Sequence, residues 1–256
     1  LMETRARKNK IEKDVFEELC GAIGREYVFD NIEERECYSF DTTNVKSMPD
    51  LVITPHSTEQ VSSALSIANK HNISICTRKA GIDLAGGAVP IKGGIALDLK
   101  NMNRIVELNA RDLTISVEPG VVTKDLQGAV EKFRLFYPPE SGGKSFSTIG
   151  ERVAECTGGM TGMKYGVTRD YVLALEIVLP DGSIINAGRK TLKSVAGYDL
   201  ARFFVGSEGT LGVFTKITLK LLPMPEKTST VISFFRNIDS ALNTTDSILM
   251  KNHLNL

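Results

Sequence analysis

An excess of charge of either sign is what this chain lacks most plainly: 31 basic residues balance 31 acidic ones. No global field therefore points to nucleic acid or to an anionic membrane, although local patches stay open. Cysteine is sparse. Cys20, Cys37, Cys76 and Cys156 stand apart with no CxxC spacing, which argues against a disulfide framework and against a zinc or iron–sulfur site. Isolated thiols fit a reducing compartment and read as buried or partly buried small hydrophobes. No apolar run reaches membrane-spanning length. The first residues contain no signal-peptide core, so a cytoplasmic location is the expectation. Tryptophan is absent, which excludes nothing.

What is present suits one large domain or two small ones: 256 residues, 42% hydrophobic. Ile11, Val15, Phe16, Leu19 and Ile23 fall at helical spacing, predicting an amphipathic N-terminal helix followed by a polar linker to residue 46. DLVITP at 50–55 reads as a strand. Ser57 with Gln60 has capping-box spacing, and Val61, Ala64, Leu65 and Ala68 form the stripe of the helix that follows. Residues 73–77 read as the next strand. This β-α-β unit has a crossover long enough for a parallel pair. Residues 95–99, 105–108, 113–117, 172–179, 183–187 and 231–235 read as further strands, with Pro180-Asp181-Gly182 as the clearest turn. Residues 210–222 alternate apolar and polar. Helices are expected at 122–133, 150–156 and 239–250. The fold class is α+β: a small parallel βαβ lobe, then a larger antiparallel sheet flanked by helices, divided near residue 104.

Glycine is concentrated at a few places. Residues 77–90, TRKAGIDLAGGAVP, follow a strand and hold three glycines within seven positions. Backbone N–H groups in such a loop converge on an anion, or the loop is a simple connection. It is neither a GxGxxG fingerprint nor a Walker loop. Ser147-Thr148-Ile149-Gly150 and Thr157-Gly158-Gly159 bracket a helix. Their hydroxyls and amides suit phosphate or carbonyl oxygens, or serve as caps. Residues 164–170, KYGVTRD, read as a basic aromatic turn or a surface structure. Residues 206–212, GSEGTLG, place backbone close to something flat or charged, or form a packed turn.

The order of these segments carries more than any one of them. PDLVITPHSTEQV, RKAGIDLAGGAVP, ALDLKNMNRI, VEPGV, PPESGGKSFSTIG, TGGMTGMKYGVTRDYVLALEIVLPDG, VAGYDLARFFVGSEGTLGV and LLPMPE together resemble the PCMH-type FAD-binding domain of the vanillyl-alcohol oxidase superfamily, over about residues 38–226. Within it the resemblance is nearest to the branch of glycolate oxidase flavin subunits and D-lactate dehydrogenases. The resemblance implies a two-lobed fold with FAD between the lobes. It implies that Arg78, Lys79, Ala80, Gly81, Ile82, Asp83, Gly86 and Gly87 wrap the pyrophosphate. Pro139, Glu140, Ser141, Ser147, Thr148, Gly150, Glu151 and Arg152 would line the flavin end. Gly158, Gly159, Tyr165, Gly166 and Val167 would border flavin and phosphates, and Glu208, Gly209 and Val213 the adenine side or the polar ring edge. Lys193 is a candidate for the substrate face. No catalytic residue is assigned.

The resemblance further implies a flavin-dependent 2-hydroxy-acid dehydrogenase, with hydride passing from substrate to flavin N5 in the full-length enzyme. The electron acceptor would be an electron-transfer flavoprotein, an iron–sulfur subunit or a quinone. The histidines at 56, 71 and 253 lie outside the loops that carry covalent flavin in some relatives, so attachment is expected to be non-covalent and no metal is expected here. Members of the family continue for about two hundred further residues, a second domain's worth, so residues 227–256 are expected to begin a cap domain. Two departures stand out. Arg78-Lys79-Ala80-Gly81-Ile82 replaces the usual Arg-Gly-x-Gly-Thr, and Ile149-Gly150-Glu151-Arg152 replaces Ile-Gly-Gly-Asn. They support an alternative, a flavin-free scaffold or accessory subunit. Another oxidoreductase branch of the superfamily is a third reading.

Overall fold

The computed structural model describes residues 11–78, 81, 85–139, 142–193 and 195–250. The first lobe begins with α1 (Lys13–Ile23), whose Val15, Leu19 and Ile23 recur every fourth residue and are buried. The stretch expected as a linker contains β1 (Val28–Phe29) and α2 (Ile32–Cys37). Then come β2 (Leu51–Ile53), α3 (Thr58–Lys70), β3 (Ile75–Arg78) and β4 (Ile95–Asp98). Ser57 caps α3 by accepting from the Gln60 amide, while Gln60 Nε2 donates to the Ile23 carbonyl at 2.8 Å and ties α3 to α1.

Strand order in this sheet is β1-β2-β4-β3. The β-α-β expectation needs a correction here. β2 and β3 do not pair with each other; β4 lies between them and runs parallel to both. Ile95, Ala96 and Leu97 of β4 are all fully buried. A strand apolar on both faces belongs in the middle of a sheet, and the later strand therefore displaces the earlier one to the edge.

The second lobe contains β5 (Ile105–Asn109), β6 (Thr114–Val117), α4 (Thr123–Glu131), β7 (Leu135–Phe136), α5 (Ile149–Glu155) and α6 (Gly162–Tyr165). It continues with β8 (Val172–Val178), β9 (Ile184–Gly188), α7 (Leu200–Phe204), β10 (Val213–Lys220) and β11 (Leu222–Pro223). Its main sheet is antiparallel, order β5-β6-β10-β8-β9. Ile115, Val117, Leu175, Ile177, Ile217 and Leu219 from its inner strands join one core. β7 and β11 pair separately.

The lobes meet along α3. Ser62 Oγ donates to the Gly182 carbonyl at 2.5 Å, and a Cβ on Gly182 would lie 2.8 Å from Ser66 Cβ, so the β8–β9 turn sits directly on the helix. Beside it Glu176 accepts from Thr58 and Thr215 at 2.9 Å each and pairs with Lys216 at 2.9 Å. Burial opposes ionisation of Glu176, but the bonds to Lys216, Thr58 and Thr215 outweigh it and hold the pKa below the usual range. Val178 and Val213, from the second sheet, complete the core of the first lobe.

Residues 231–235 do not form the expected strand. They are exposed and form no ladder among the described residues; β-propensity alone does not order a strand with no ladder partner. The final helix, α8 (Ile238–Met250), forms as expected but buries none of its residues. Among the described residues no helix is long and apolar enough to cross a membrane.

Candidate functional site between the lobes

A cleft opens where β3 and β4 face α5 and the start of β10. Its lining runs from Thr77, Arg78, Gly87, Ala88 and Leu99 on the first lobe to Pro119, Thr148, Gly150, Glu151, Ala154 and Glu155 of the second. Glu208, Gly209, Gly212, Val213 and Phe214 close the other side. A second groove continues past Thr77, Gly86 and Gly209 along the open edge of β3.

α5 makes one wall. Thr148 is its N-cap: the hydroxyl accepts from the Glu151 amide at 3.4 Å, and the Glu151 carboxylate accepts from the Thr148 amide and hydroxyl at 3.1 and 2.9 Å. The acidic departure from the family pattern is thus bent back onto the helix start. Arg152, the second departure, lies behind the wall and is 1% exposed. Its Nη1 donates to the Pro139 carbonyl at 2.5 Å and its Nε to Ser147 Oγ at 3.3 Å. The guanidinium neither lines nor fills the cleft, because buried acceptors satisfy it. Gly150 lets α5 approach the 118–120 turn: a Cβ there would lie 2.6 Å from Pro119 Cβ.

The opposite lip is residues 206–213. Glu208 and Gly209 both have positive φ, 50° and 75°, a conformation that favours glycine. The Glu208 and Gly206 amides donate to Ala154 and Val153, fastening this lip to the end of α5. A Cβ on Gly209 would lie 3.5 Å from Thr77 Oγ1, so the lobes nearly touch here. Gly212 packs against Ile177 and Val178 and has no room for a side chain. On the first lobe Gly86 also has positive φ, 84°, with open space where a Cβ would project.

Behind the first lobe's rim is a buried polar group. Tyr38 Oη donates to Asp98 at 2.6 Å, and Lys100 Nζ donates to Tyr38 Oη at 3.1 Å. Burial, then the adjacent carboxylate, pushes the Tyr38 pKa up; burial likewise raises Asp98, against its bonds to Tyr38 and Lys100.

Of the residues singled out in the sequence, the structure brings Arg78, Gly86, Gly87, Thr148, Gly150, Glu151, Glu208, Gly209 and Val213 to the cleft and its continuation. Gly81, Pro139, Ser147, Arg152, Gly158, Gly159, Tyr165, Gly166 and Val167 line neither space. Gly166 and Val167 close a tight turn on Asp170, and the Tyr165 carbonyl accepts from Tyr171 at 2.8 Å. Lys193 is exposed in the 189–199 segment. Lys79, Ala80, Ile82, Asp83, Glu140 and Ser141 lie outside the described residues. Sequence reasoning missed Ala154 and Glu155, although they follow Glu151 by three and four positions and so share its helix face. It also missed Pro119, Gly212 and Phe214 as lining groups; the first two stand within motifs already noted.

The lining fits a flavin dinucleotide. Its floor is apolar (Leu99, Pro119, Val213, Phe214), its lips are Gly87, Ala88, Gly209 and Gly212, and the space before Gly86 is open. Flat rings need the first, and close backbone approach to phosphates needs the second. The sequence profile described as FAD binding domain matches residues 49–188, more than half of the chain. The chain belongs to the FAD-binding domain family. Over 93% of its length this FAD-binding domain is 47% identical to the glycolate oxidase subunit GlcD of Bacillus subtilis, covering 51% of that protein. It is 36% identical to a D-lactate dehydrogenase of Anaerostipes hadrus, over 94% of the chain and 51% of the relative. The chain thus spans about half the length of the curated relatives it matches. The solved 4-ethylphenol oxidase of Gulosibacter chungangensis superposes with TM-score 0.76 at 25% identity, over 92% of this chain and 48% of that one. p-Cresol methylhydroxylase gives the same TM-score at 20% identity, over 92% of this chain and 48% of that one, and speaks to the fold alone.

Proposed function

We propose that this chain is the cofactor-holding portion of a 2-hydroxy-acid dehydrogenase of the glycolate or D-lactate type. The observation that carries the reading is the interlobe cleft, apolar below and glycine-lipped above, in a chain 47% identical to a glycolate oxidase subunit. When bound, FAD supplies a two-electron acceptor for hydride from a substrate carbon. The chain's own residues do the rest. Gly86, Gly87 and Gly209 bring backbone close to the dinucleotide, and Leu99, Pro119, Val213 and Phe214 exclude water from the rings. Thr148 holds the Glu151 carboxylate against the α5 N-terminus, where the helix dipole also favours it. Binding is non-covalent in this reading, electrons leave to a partner subunit or carrier, and the location is cytoplasmic. The first lobe, expected at 47–104, also takes in α1 and β1, which pack on and pair with its sheet; residues 105–226 are the second lobe, and residues from 227 belong to a further unit, in keeping with the exposure of α8.

A flavin-free accessory role is the second reading. Three carboxylates line the cleft, those of Glu151, Glu155 and Glu208, and like charge opposes a diphosphate. Titration of the purified chain with FAD decides between the two. Uptake with a perturbed visible flavin spectrum is expected, and no uptake at saturating FAD overturns the dehydrogenase reading.

A further inference from the structure

The rim of the cleft at Gly87 and Ala88 is held by a side chain that joins three separate stretches. Arg78 ends β3 and is 9% exposed. Its Nη1 donates to the carbonyls of Tyr38, Phe40 and Ala88 at 3.1, 2.9 and 3.3 Å. Its guanidinium lies over the Tyr38 ring, 5.3 Å from the centroid. Gly81 rests on the same group: φ is 64°, and a Cβ there would lie 2.1 Å from Nη2. The segment that receives these bonds is itself fixed twice. Tyr38 is bonded to Asp98 at 2.6 Å, and Ser47 Oγ donates to the Pro90 carbonyl at 2.8 Å. Ser47 also bonds Ser39 through the backbone at 2.8 Å. Residues 38–47 precede the span matched by the family profile, which begins at 49. Tyr38 does not line the cleft.

We propose that residues 38–47 are a strap that, through Arg78, fixes the cleft rim, making Arg78 and Tyr38 positioning residues for cofactor affinity. All three contacts are made by Nη1 while the guanidinium lies over an aromatic ring; a lysine ammonium ends one bond short of that atom and has no plane to lay on the ring, so lysine is no substitute. Along the rim the Val89 amide also donates to the Gly86 carbonyl and the Ile91 amide to the Val89 carbonyl, and Cys76 Sγ donates to the Gly87 carbonyl at 3.3 Å. Removing the guanidinium takes away the rim's tie to Tyr38 and Phe40 and loosens it, while the two cores stay intact. The link to affinity rests on the FAD reading above; the strap itself does not.

The test uses the whole chain and two variants, Arg78→Lys and Tyr38→Phe, the second keeping the packing if the first fails to fold. Backbone hydrogen exchange is followed in the ligand-free protein, and FAD affinity by titration. In Arg78→Lys, exchange at Ala88 and Val89 is expected to rise about tenfold or more, with β10 unchanged, and Kd for FAD to weaken by a similar factor. Tyr38→Phe is expected to move both by roughly fivefold. Lys46→Ala, which breaks only the exposed pair with Glu36, should move neither. Wild-type exchange at residues 88–89 in both variants overturns the strap, whether or not FAD binds. Faster exchange with unchanged Kd overturns the link to affinity. Failure of the wild-type chain to take up FAD overturns the reading of function and the link, while exchange still decides the strap.

Discussion

Replacing Gly150 by alanine and Gly128 by alanine is the same chemical change on two helices, and the structure assigns it opposite signs. Gly128 lies on the exposed side of α4, with nothing within 4 Å of the added Cβ. Alanine there gains helix propensity and lowers the entropy of the unfolded chain, about 0.5–1 kcal/mol of stabilisation. At Gly150 the new Cβ would meet Pro119 Cβ at 2.6 Å and the Pro119 carbonyl at 2.9 Å. Ordinary contact begins near 3.4 Å, so α5 or the turn must move by most of an ångström. The turn is poorly able to yield. Gly120 is already locked, since a Cβ on it would lie 2.5 Å from the Leu99 carbonyl, and its amide donates to Met102 at 2.7 Å. Overpacking of this kind costs about 1–3 kcal/mol, and the propensity gain offsets at most about 1. Gly150→Ala should therefore lose about 1–2 kcal/mol, placing the two variants roughly 2–3 kcal/mol apart. Urea unfolding followed by circular dichroism measures the difference, with m-values checked for constancy. If Gly150→Ala proves as stable as Gly128→Ala, the close approach of α5 to the 118–120 turn is wrong.

Further expectations concern the cap, the lobe contact and the core. Thr148→Val removes the cap, costing about 1 kcal/mol of stability, and takes from Glu151 its hydroxyl partner. FAD affinity should fall, and the added change Glu151→Gln should restore part of it; a fall that Glu151→Gln leaves untouched refutes the electrostatic account. The folded pKa of Glu176 is lowered from 4.5, so its stabilising contribution is complete above about 4.5 and fades as pH drops through the folded value. Glu176→Gln should accordingly be less stable than wild type near neutrality, with the gap closing in acid; a gap constant from neutral to acid pH would show that the carboxylate charge is immaterial. Ile217 is fully buried at the centre of the antiparallel core, and Ile217→Ala should lose about 2–5 kcal/mol in urea unfolding. A loss under 1 kcal/mol would mean that the core is not packed as described.

Much of the fold was legible locally. The α3 stripe of Val61, Ala64, Leu65 and Ala68 is buried as its spacing required, and Pro180-Asp181-Gly182 makes the β8–β9 turn, with Gly182 at φ 88°. These features depend on residues close in sequence, where 3.6-residue periodicity and turn chemistry act directly. What was not legible involved a distant partner. β4 enters between β2 and β3 because both of its faces can be covered. Residues 231–235 have strand composition, yet find no neighbour among the described residues to complete the ladder.

The sites show the same division. Glycine placement in residues 77–90 and 206–212 marked where the chain is left-handed or crowded, since such positions tolerate little else, and Gly86, Gly87, Gly209 and Gly212 line the cleft and its continuation. The charged departures at 151 and 152 could not be judged from sequence, since a charge has no fixed meaning until its partners are known. Packing settled them: Glu151 turns to Thr148, and Arg152 is buried against Pro139 and Ser147. The sequence by itself determined an α+β chain of two lobes, and its ordered motifs, through their resemblance to a known family, implied an FAD-binding domain. Only the tertiary structure decided which of its conspicuous side chains face the cleft and which, like Arg152, satisfy carbonyls behind it, because hydrogen-bond partners in a folded chain come from segments that the sequence keeps far apart.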